Sequence, residues 1–286
     1  MAGSHMIPVF LKKSLIHIGC YYFLQHQVYQ LRQLIVRLQL QYQYRTHKGS
    51  GFCCNHCGAR YAAFAPWYPS QADAPALKKH QVIAGYGDHC ICPACLSTSR
   101  ERLVLGMLEQ DKSWSGKPVL HLAPEKRIYQ RLVQEAVVTT ADAEPGFYQF
   151  IDSTIKREDL CALSFASARF ELVIANHVLE HIVDDRAAMR EIFRVLVPGG
   201  RAILQVPYSI SLSTTLEDAS VIDPEDRSSH FGQRDHVRIY QLEDYCQRLR
   251  ESGFMVDLMM NEELAFLQAN AIQPNEVFFL IQKPVA

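Results

Sequence analysis

The sequence predicts an α/β protein: a mostly parallel sheet with helices on both faces, preceded by a small metal-stapled module and an N-terminal helix. Three observations predict it. Strand-like and helix-like runs alternate from about Lys117 onward, which implies parallel strands joined by helical crossovers. Two Cys-x-x-Cys pairs lie ahead of that region. Ahead of those, Leu31, Leu34, Ile35 and Leu38 recur at helical spacing.

The elements follow in order. Met1 to His5 (MAGSH) reads as an expression scar and is set aside. From about Pro8 to Arg45, Gln, Tyr and Leu dominate, which predicts one long amphipathic helix or two shorter ones. HKGSG then breaks it. Residues from about Phe52 to Arg100 are loop-rich, with too small a core to stand without a staple. Beyond Lys117, PVLHLA is a strand, KRIYQRLVQEA a helix and VVTTAD a strand. FELVIANHV is a strand, and DDRAAMREIFRVL is a helix ending at Pro198-Gly199-Gly200. GRAILQVPY is a strand, and QLEDYCQRLRESG a helix stopped at Gly253. FMVDLMM and EVFFLIQK are two final strands. The implied organisation is 6–48 for the helical segment, 49–103 for the cysteine module and 104–286 for the α/β domain.

The clustered cysteines carry the first piece of chemistry. Cys54-x-x-Cys57 and Cys92-x-x-Cys95 each place two thiolates on one tight turn. Two such turns close a four-thiolate tetrahedral shell, with metal–sulfur distances of about 2.3 Å. Gly58 and Pro93 suit those turns. The reading is a structural Zn2+ with no open coordination position, hence no catalysis at that ion. Redox disulfides are the competing reading, and Cys53, His56, His89 and Cys90 are alternative ligands. Cys20, Cys161 and Cys246 read as buried small hydrophobes.

Composition narrows the class further. The chain is 48% hydrophobic over 286 residues, enough for one full-sized core plus an appendage. No run approaches the roughly 18 apolar residues of a membrane span, so a cytoplasmic protein is expected. No Asp or Glu precedes Asp73, whereas Lys12, Lys13, Arg32, Arg37, Arg45, Lys48 and Arg60 do. A basic arm on an acidic body suits an anionic partner, or a helix docked on that body.

The segment from Phe170 to Tyr208, FELVIANHVLEHIVDDRAAMREIFRVLVPGGRAILQVPY, resembles the fourth and fifth strand units of class I S-adenosylmethionine-dependent methyltransferases. Glu171 stands where that family usually has Asp. VLHLAPE aligns with the family's first strand and its glycine loop. There His121 replaces an acidic residue, Ala123 the first glycine and Glu125 the second. CPACLSTSRERL, HLAPE and FGQRDHVRIY together resemble a type 11-like sub-branch with a preceding zinc-binding module. The resemblance runs from about Cys54 to the C-terminus. It implies a Rossmann-like seven-stranded sheet whose last strand is antiparallel, and an enzyme that turns S-adenosylmethionine into S-adenosylhomocysteine.

The resemblance also implies the cofactor residues. Ala123, Pro124 and Glu125 would receive the amino-acid tail or the sulfonium, with His121 beneath them. Glu125 has a plainer reading as the cap of the helix KRIYQRL. Asp142 would accept both ribose hydroxyls, with Glu144 as its substitute. Asp159 and the Leu160 backbone would meet the adenine edge, with Asp152 as rival. Asn176 and His177 would border the sulfonium. The long polar segment after Tyr208 reads as a lid over the acceptor. His177, Tyr208, His230, Asp235, His236 and Arg238 are the acceptor-side candidates, with His177 and then His236 as general base. His181 reads as a structural cap.

Methyl transfer to a small metabolite, sugar or natural-product scaffold is the leading expectation. RNA or protein gripped by the basic arm and the zinc module is the second, and a non-catalytic zinc scaffold the third. A nicotinamide-dependent oxidoreductase fits the VLEH…RVLVPGG pattern poorly. The N-terminal helix reads equally as a homodimer element, a membrane-surface anchor or a lid.

Overall fold

The computed structural model describes residues 20–285. MAGSH and the start of the expected N-terminal helix lie outside the described residues. Helix α1 runs from Cys20 to Gln43. Most of its apolar side chains, Leu31, Leu34, Ile35 and Leu38 among them, remain exposed. It touches the body at both ends: His26 stacks on Phe150 at 4.1 Å, and Gln41 Nε2 donates to the Ala94 carbonyl. No helix among the described residues is long and apolar enough to cross a membrane.

The cysteine module follows. Strand β1 (Lys48–Cys53) takes up the expected HKGSG break and pairs antiparallel with β2 (Arg60–Tyr61). Then come β3 (Ala65–Trp67), α2 (Ala74–Lys79), β4 (Val82–Ile83) and β5 (Gly87–Ile91), with β3 and β5 antiparallel. Helix α3 (Ser99–Gln110) opens with a capping box, in which Thr98 and Glu101 satisfy each other's backbone N–H.

The larger unit begins with β6 (Pro118–Leu122), α4 (Lys126–Leu132), β7 (Val137–Asp142) and β8 (Lys156–Arg157). It continues through β9 (Phe170–Ile174), α5 (Asp185–Val195) and β10 (Leu196–Ile203). The segment after β10 holds β11 (Tyr208–Ser209), β12 (Leu216–Glu217), α6 (Pro224–Phe231) and β13 (Arg238–Gln241). Helix α7 (Leu242–Glu251), β14 (Met255–Met260) and β15 (Val277–Gln282) complete it.

Seven strands form one sheet in the order β14-β15-β10-β9-β6-β7-β8. The five from β10 to β8 are parallel, and β15 is antiparallel to both its neighbours, as expected. Alternation along the strands serves two cores. Leu120, Val173, Ala202 and Phe279 face α5 and α7, while Val119, Leu172, Ile203 and Phe278 face α3 and α4. The Pro198-Gly199-Gly200 turn lies inside β10 as a bulge rather than before it. A Cβ on Gly200 would sit 2.9 Å from the Val197 carbonyl, so glycine is needed there.

The cysteine module is sewn into the larger unit. β4 pairs antiparallel with β11, which joins β13 and β12 in a second sheet. Ser228 on α6 donates to Asp73 at the start of α2, and Ser209 donates to the His80 carbonyl. Arg102, fully buried on α3, donates to the carbonyls of Ser97, His89 and Cys90 and also to those of Asn270 and Ala271.

Candidate functional site

Chain order reverses at the centre of the sheet: from β6 the chain builds outward to β7 and β8, then returns to add β9 and β10 on the other side. A crevice opens at such a point beyond the carboxyl ends of the strands. The loop after β6 turns there without glycine. Ala123 adopts φ +44°, the left-handed conformation glycine normally supplies, and its N–H donates to the Ala141 carbonyl at the end of β7. Across the crevice, at the end of β9, His177 does the same with φ +54° and bonds the Gln205 carbonyl.

Glu125 occupies the N-cap position of α4, yet its carboxylate makes no capping bond. It turns across the crevice, where Asn176 Nδ2 donates to Oε1 over 2.6 Å. His121 Nε2 accepts from the Glu125 N–H. Burial pushes the Glu125 carboxyl pKa up. Three polar atoms here are buried without a hydrogen-bond partner among the described residues: Glu125 Oε2, Asn176 Oδ1 and His121 Nδ1. Buried polar groups are normally satisfied, so the two unpartnered acceptors on the joined side chains of Glu125 and Asn176 mark a candidate ligand position.

Asp142 ends β7 and accepts from the Glu144 N–H at 2.6 Å, with burial raising its pKa. Tyr148 lies close by; burial raises its pKa, and Asp142 and Glu125 add to the effect. Asp159 is exposed and accepts from the Cys161 N–H, while the Leu160 side chain is buried in the core. The rival Asp152 is spent on Thr140 and Thr154, which gives it a structural part.

On the acceptor side the structure gathers some candidates and disperses others. His177, Glu180, His181 and His236 converge. His177 Nδ1 lies 3.4 Å and His236 Nε2 3.9 Å from Glu180 Oε1, and the His181 and His236 rings meet edge to face at 4.8 Å. Burial holds His177 and His236 down at about 4. Burial opposes charge on Glu180, but the surrounding imidazoles outweigh it and hold the carboxyl at about 2. Asp235 is exposed beside His181. His181 is therefore no cap: its Nδ1 faces the Asp235 carbonyl at 3.2 Å.

His230 stands apart, exposed on α6 and bonded to the Asp226 carbonyl. Tyr208 is fully buried, its hydroxyl donating to the Asn275 carbonyl. Arg238 is buried against the carbonyls of Leu179, Ile182 and Val183 and pairs with Glu217. Sequence reasoning passed over Glu180 and Tyr148. The VLEH turn was the available signal for Glu180, but a glutamate in a turn reads as solvated until its burial is seen.

The cysteine cluster has its own geometry. Cys54 Sγ and Cys95 Sγ are 3.7 Å apart, Cys57 Sγ and Cys92 Sγ 3.9 Å, and all four lie within 4.8 Å of one another. A tetrahedron with bonds of about 2.3 Å has edges of about 3.8 Å. A disulfide needs about 2.05 Å. The two turns are built alike. Cys54 N–H meets the Ala59 carbonyl and Gly58 N–H returns to Cys54; Cys92 N–H meets Ser97 and Leu96 N–H returns to Cys92. Gly58 and Leu96 both take positive φ at the matching place.

Residues 116–204 match the model of a methyltransferase domain family. No curated protein matches the chain. Among solved structures, the chain is similar to an S-adenosylmethionine-dependent methyltransferase from Mesorhizobium loti (14% identity, TM-score 0.47), covering 62% of this chain and 95% of that one. It is similar to one from Methanosarcina mazei at 15% identity and TM-score 0.43, over 60% and 94% of the two chains. It is also similar to the [4+2]-cyclase SpnF at 16% identity and TM-score 0.43, over 91% and 96%.

Proposed function

We propose that the chain, whose residues 116–204 match a methyltransferase domain family, is a class I S-adenosylmethionine-dependent methyltransferase that acts on a small polar acceptor enclosed beneath a lid, with a structural Zn2+ in the cysteine module. When bound, S-adenosylmethionine supplies a methyl group already activated by its sulfonium. The observation that carries the cofactor assignment is the Asn176–Glu125 bond with its leftover acceptors, Glu125 Oε2 and Asn176 Oδ1. Two free acceptor oxygens suit an ammonium or sulfonium cation.

The chain's residues divide the work by place. Glu125, Asn176 and His121 hold the amino-acid end, while Ala123 and Pro124 let the backbone turn beside it. Asp142 takes the ribose hydroxyls, with Tyr148 lining that side. Asp159 and the Leu160 backbone face the adenine. His177 stands between this crevice and the Glu180–His236 cluster, so the acceptor lies on that side. Enclosure supports a small acceptor. β4 pairs with β11 and α6 packs on α2, so that Glu180 is 1% and His236 5% exposed. Holding the reactants in line and excluding water supplies much of the catalysis in such transfers.

RNA or protein as substrate is less favoured, because α1 presents Leu31, Leu34 and Leu38 to solvent rather than a uniformly basic face. Cys54, Cys57, Cys92 and Cys95 hold the zinc as a closed shell, and the tetrahedral edge lengths support it.

The test is calorimetric titration with S-adenosylmethionine and S-adenosylhomocysteine, with zinc counted on the same sample. Micromolar binding by a chain holding one zinc is expected. Absence of binding to folded, zinc-loaded protein would overturn the cofactor assignment.

A further inference from the structure

Glu180 poses a problem that the methyl-transfer reading leaves unsolved. It lies in the helical turn Leu179–His181 beyond β9 and is 1% exposed. Its Oε2 has no hydrogen-bond partner among the described residues, and neither has the neighbouring His177 Nδ1. A buried carboxylate oxygen left without a donor is costly unless a cation balances it. The nearby arginines are committed elsewhere. Arg238 serves three carbonyls and Glu217, and Arg100 donates through Nε to the Ala84 carbonyl and lies over the Trp67 and Tyr86 rings.

What surrounds Glu180 instead is imidazole. One ligating atom from each of Glu180, His181 and His236 falls within 4.8 Å of the others. Bonds of about 2.0–2.2 Å to a single ion set its ligand atoms about 3.3–3.6 Å apart in a tetrahedron, so binding would draw these side chains inward. The rings are also held from outside. His181 Nδ1 faces the Asp235 carbonyl at 3.2 Å and its carboxylate at 3.5 Å, the kind of oxygen partner that orients a metal-bound imidazole from its far side. The Val237 N–H donates to the Glu180 carbonyl, clamping the lid strand to the turn and bringing His236 over it.

We propose that Glu180, His181 and His236 form a second metal centre, open where the cysteine shell is closed, that takes a borderline divalent cation such as Mn2+, Fe2+, Co2+ or Zn2+. Two imidazoles and one carboxylate are the donor set for these ions; Mg2+ and Ca2+ prefer all-oxygen shells. Three protein ligands leave positions free for a water or a substrate oxygen. The centre adjoins His177, at the edge of the cofactor crevice. On the methyl-transfer reading, an acceptor hydroxyl bound there would lose its proton more readily, to the adjoining His177 imidazole, as its oxygen takes the methyl group and S-adenosylhomocysteine leaves. That last role rests on the methyl-transfer reading; binding of the ion does not.

The experiment uses the full zinc-loaded chain and adds Mn2+, which has little affinity for thiolate sites. Loss of the free-ion paramagnetic resonance signal counts the bound Mn2+. One Mn2+ per chain is expected, beyond the zinc already present. Glu180→Gln and His236→Asn should each weaken it at least tenfold while keeping one zinc and the wild-type circular dichroism. Because both side chains are buried, His181→Asn, at a half-exposed position, provides a third variant that should weaken binding likewise. The proposal is overturned if the wild-type chain binds no second ion at millimolar Mn2+, Co2+ or Zn2+. It is equally overturned if the folded variants bind as the wild type does. Since no cofactor or acceptor is present in these titrations, a failed methyltransferase assay leaves their outcome intact, and the reverse holds too.

Discussion

Asn176 Nδ2 donates to Glu125 Oε1 over 2.6 Å, tying the end of β9 to the loop after β6 across the middle of the sheet. Glu125→Gln keeps an oxygen for Asn176 but removes the charge from the crevice. A hydrogen bond to a charged group is worth about 1.5–3 kcal/mol, so calorimetric affinity for S-adenosylmethionine should fall about tenfold or more. Thermal stability should hold or rise, because burial disfavours the charged carboxyl that the variant lacks. Unchanged affinity would remove Glu125 from the cofactor site.

Asp142→Ala should weaken both S-adenosylmethionine and S-adenosylhomocysteine by at least about tenfold, since two ribose hydroxyls lose one charged acceptor. The loss should be similar for the two ligands, which share the ribose. A methionine-only titration should be unaffected. If the nucleoside ligands bind Asp142→Ala as tightly as the wild type, the ribose lies elsewhere.

Stability should fall as pH rises through neutrality, and Glu276 is the reason. Burial pushes its pKa from 4.5 up to about 7, against the opposing pull of Arg100 and the Gly85 N–H; the buried Tyr208 lies on the same side. A group that binds its proton more tightly when folded contributes stability that is fully present below its unfolded pKa. That contribution disappears as pH climbs through about 7. Glu276→Gln should flatten the curve. Between pH 5 and 8 the wild type should lose about 3 kcal/mol relative to the variant in urea melts. Parallel curves would show that the carboxyl titrates normally.

Cys92→Ser, or stripping with a strong chelator, should open the cysteine module. Four thiolates brought this close repel one another without an ion, so protease cuts should concentrate between residues 49 and 100. Cofactor affinity should drop in the same sample, because Arg127 on α4 donates to the Cys95 carbonyl and pairs with Glu101. A stripped chain with wild-type melting and proteolysis would end the structural-zinc reading.

Much of this architecture is legible in sequence where the signal is local. The two cysteine turns are spelled out by spacing alone. The succession β6, α4, β7, β9, α5, β10, α7, β14, β15 follows from periodicity, and Gly253 does follow α7 with φ +103°. What escaped was non-local. β8 is two exposed residues, Lys156 and Arg157, with no apolar alternation to reveal it. The pairing of β4 with β11 joins Ile83 to Tyr208, and no local pattern encodes a partner that distant. The bulge at Pro198-Gly199-Gly200 looks like a helix stop followed by a turn, because the same residues serve both ends. Glu180 has nothing in its neighbours to set it apart from a surface acid; its burial comes from β13 and the lid closing over it.

Arg102 places a constraint on how this chain is made. Its guanidinium sits on α3, next to the cysteine turns, but two of its carbonyl partners are Asn270 and Ala271. During synthesis from the N-terminus, the module's thiolates can gather long before those carbonyls emerge, leaving a cation half-satisfied in a site that will be sealed. The cysteine turns can form early, but Arg102 meets its last two partners only once the segment around Asn270 has been made. An excised module would carry that unmet charge permanently, so it is not a transplantable cassette. Its boundary in the sequence is not a boundary in the packing, since Arg102 is shared between the module and the segment Asn270–Ala271.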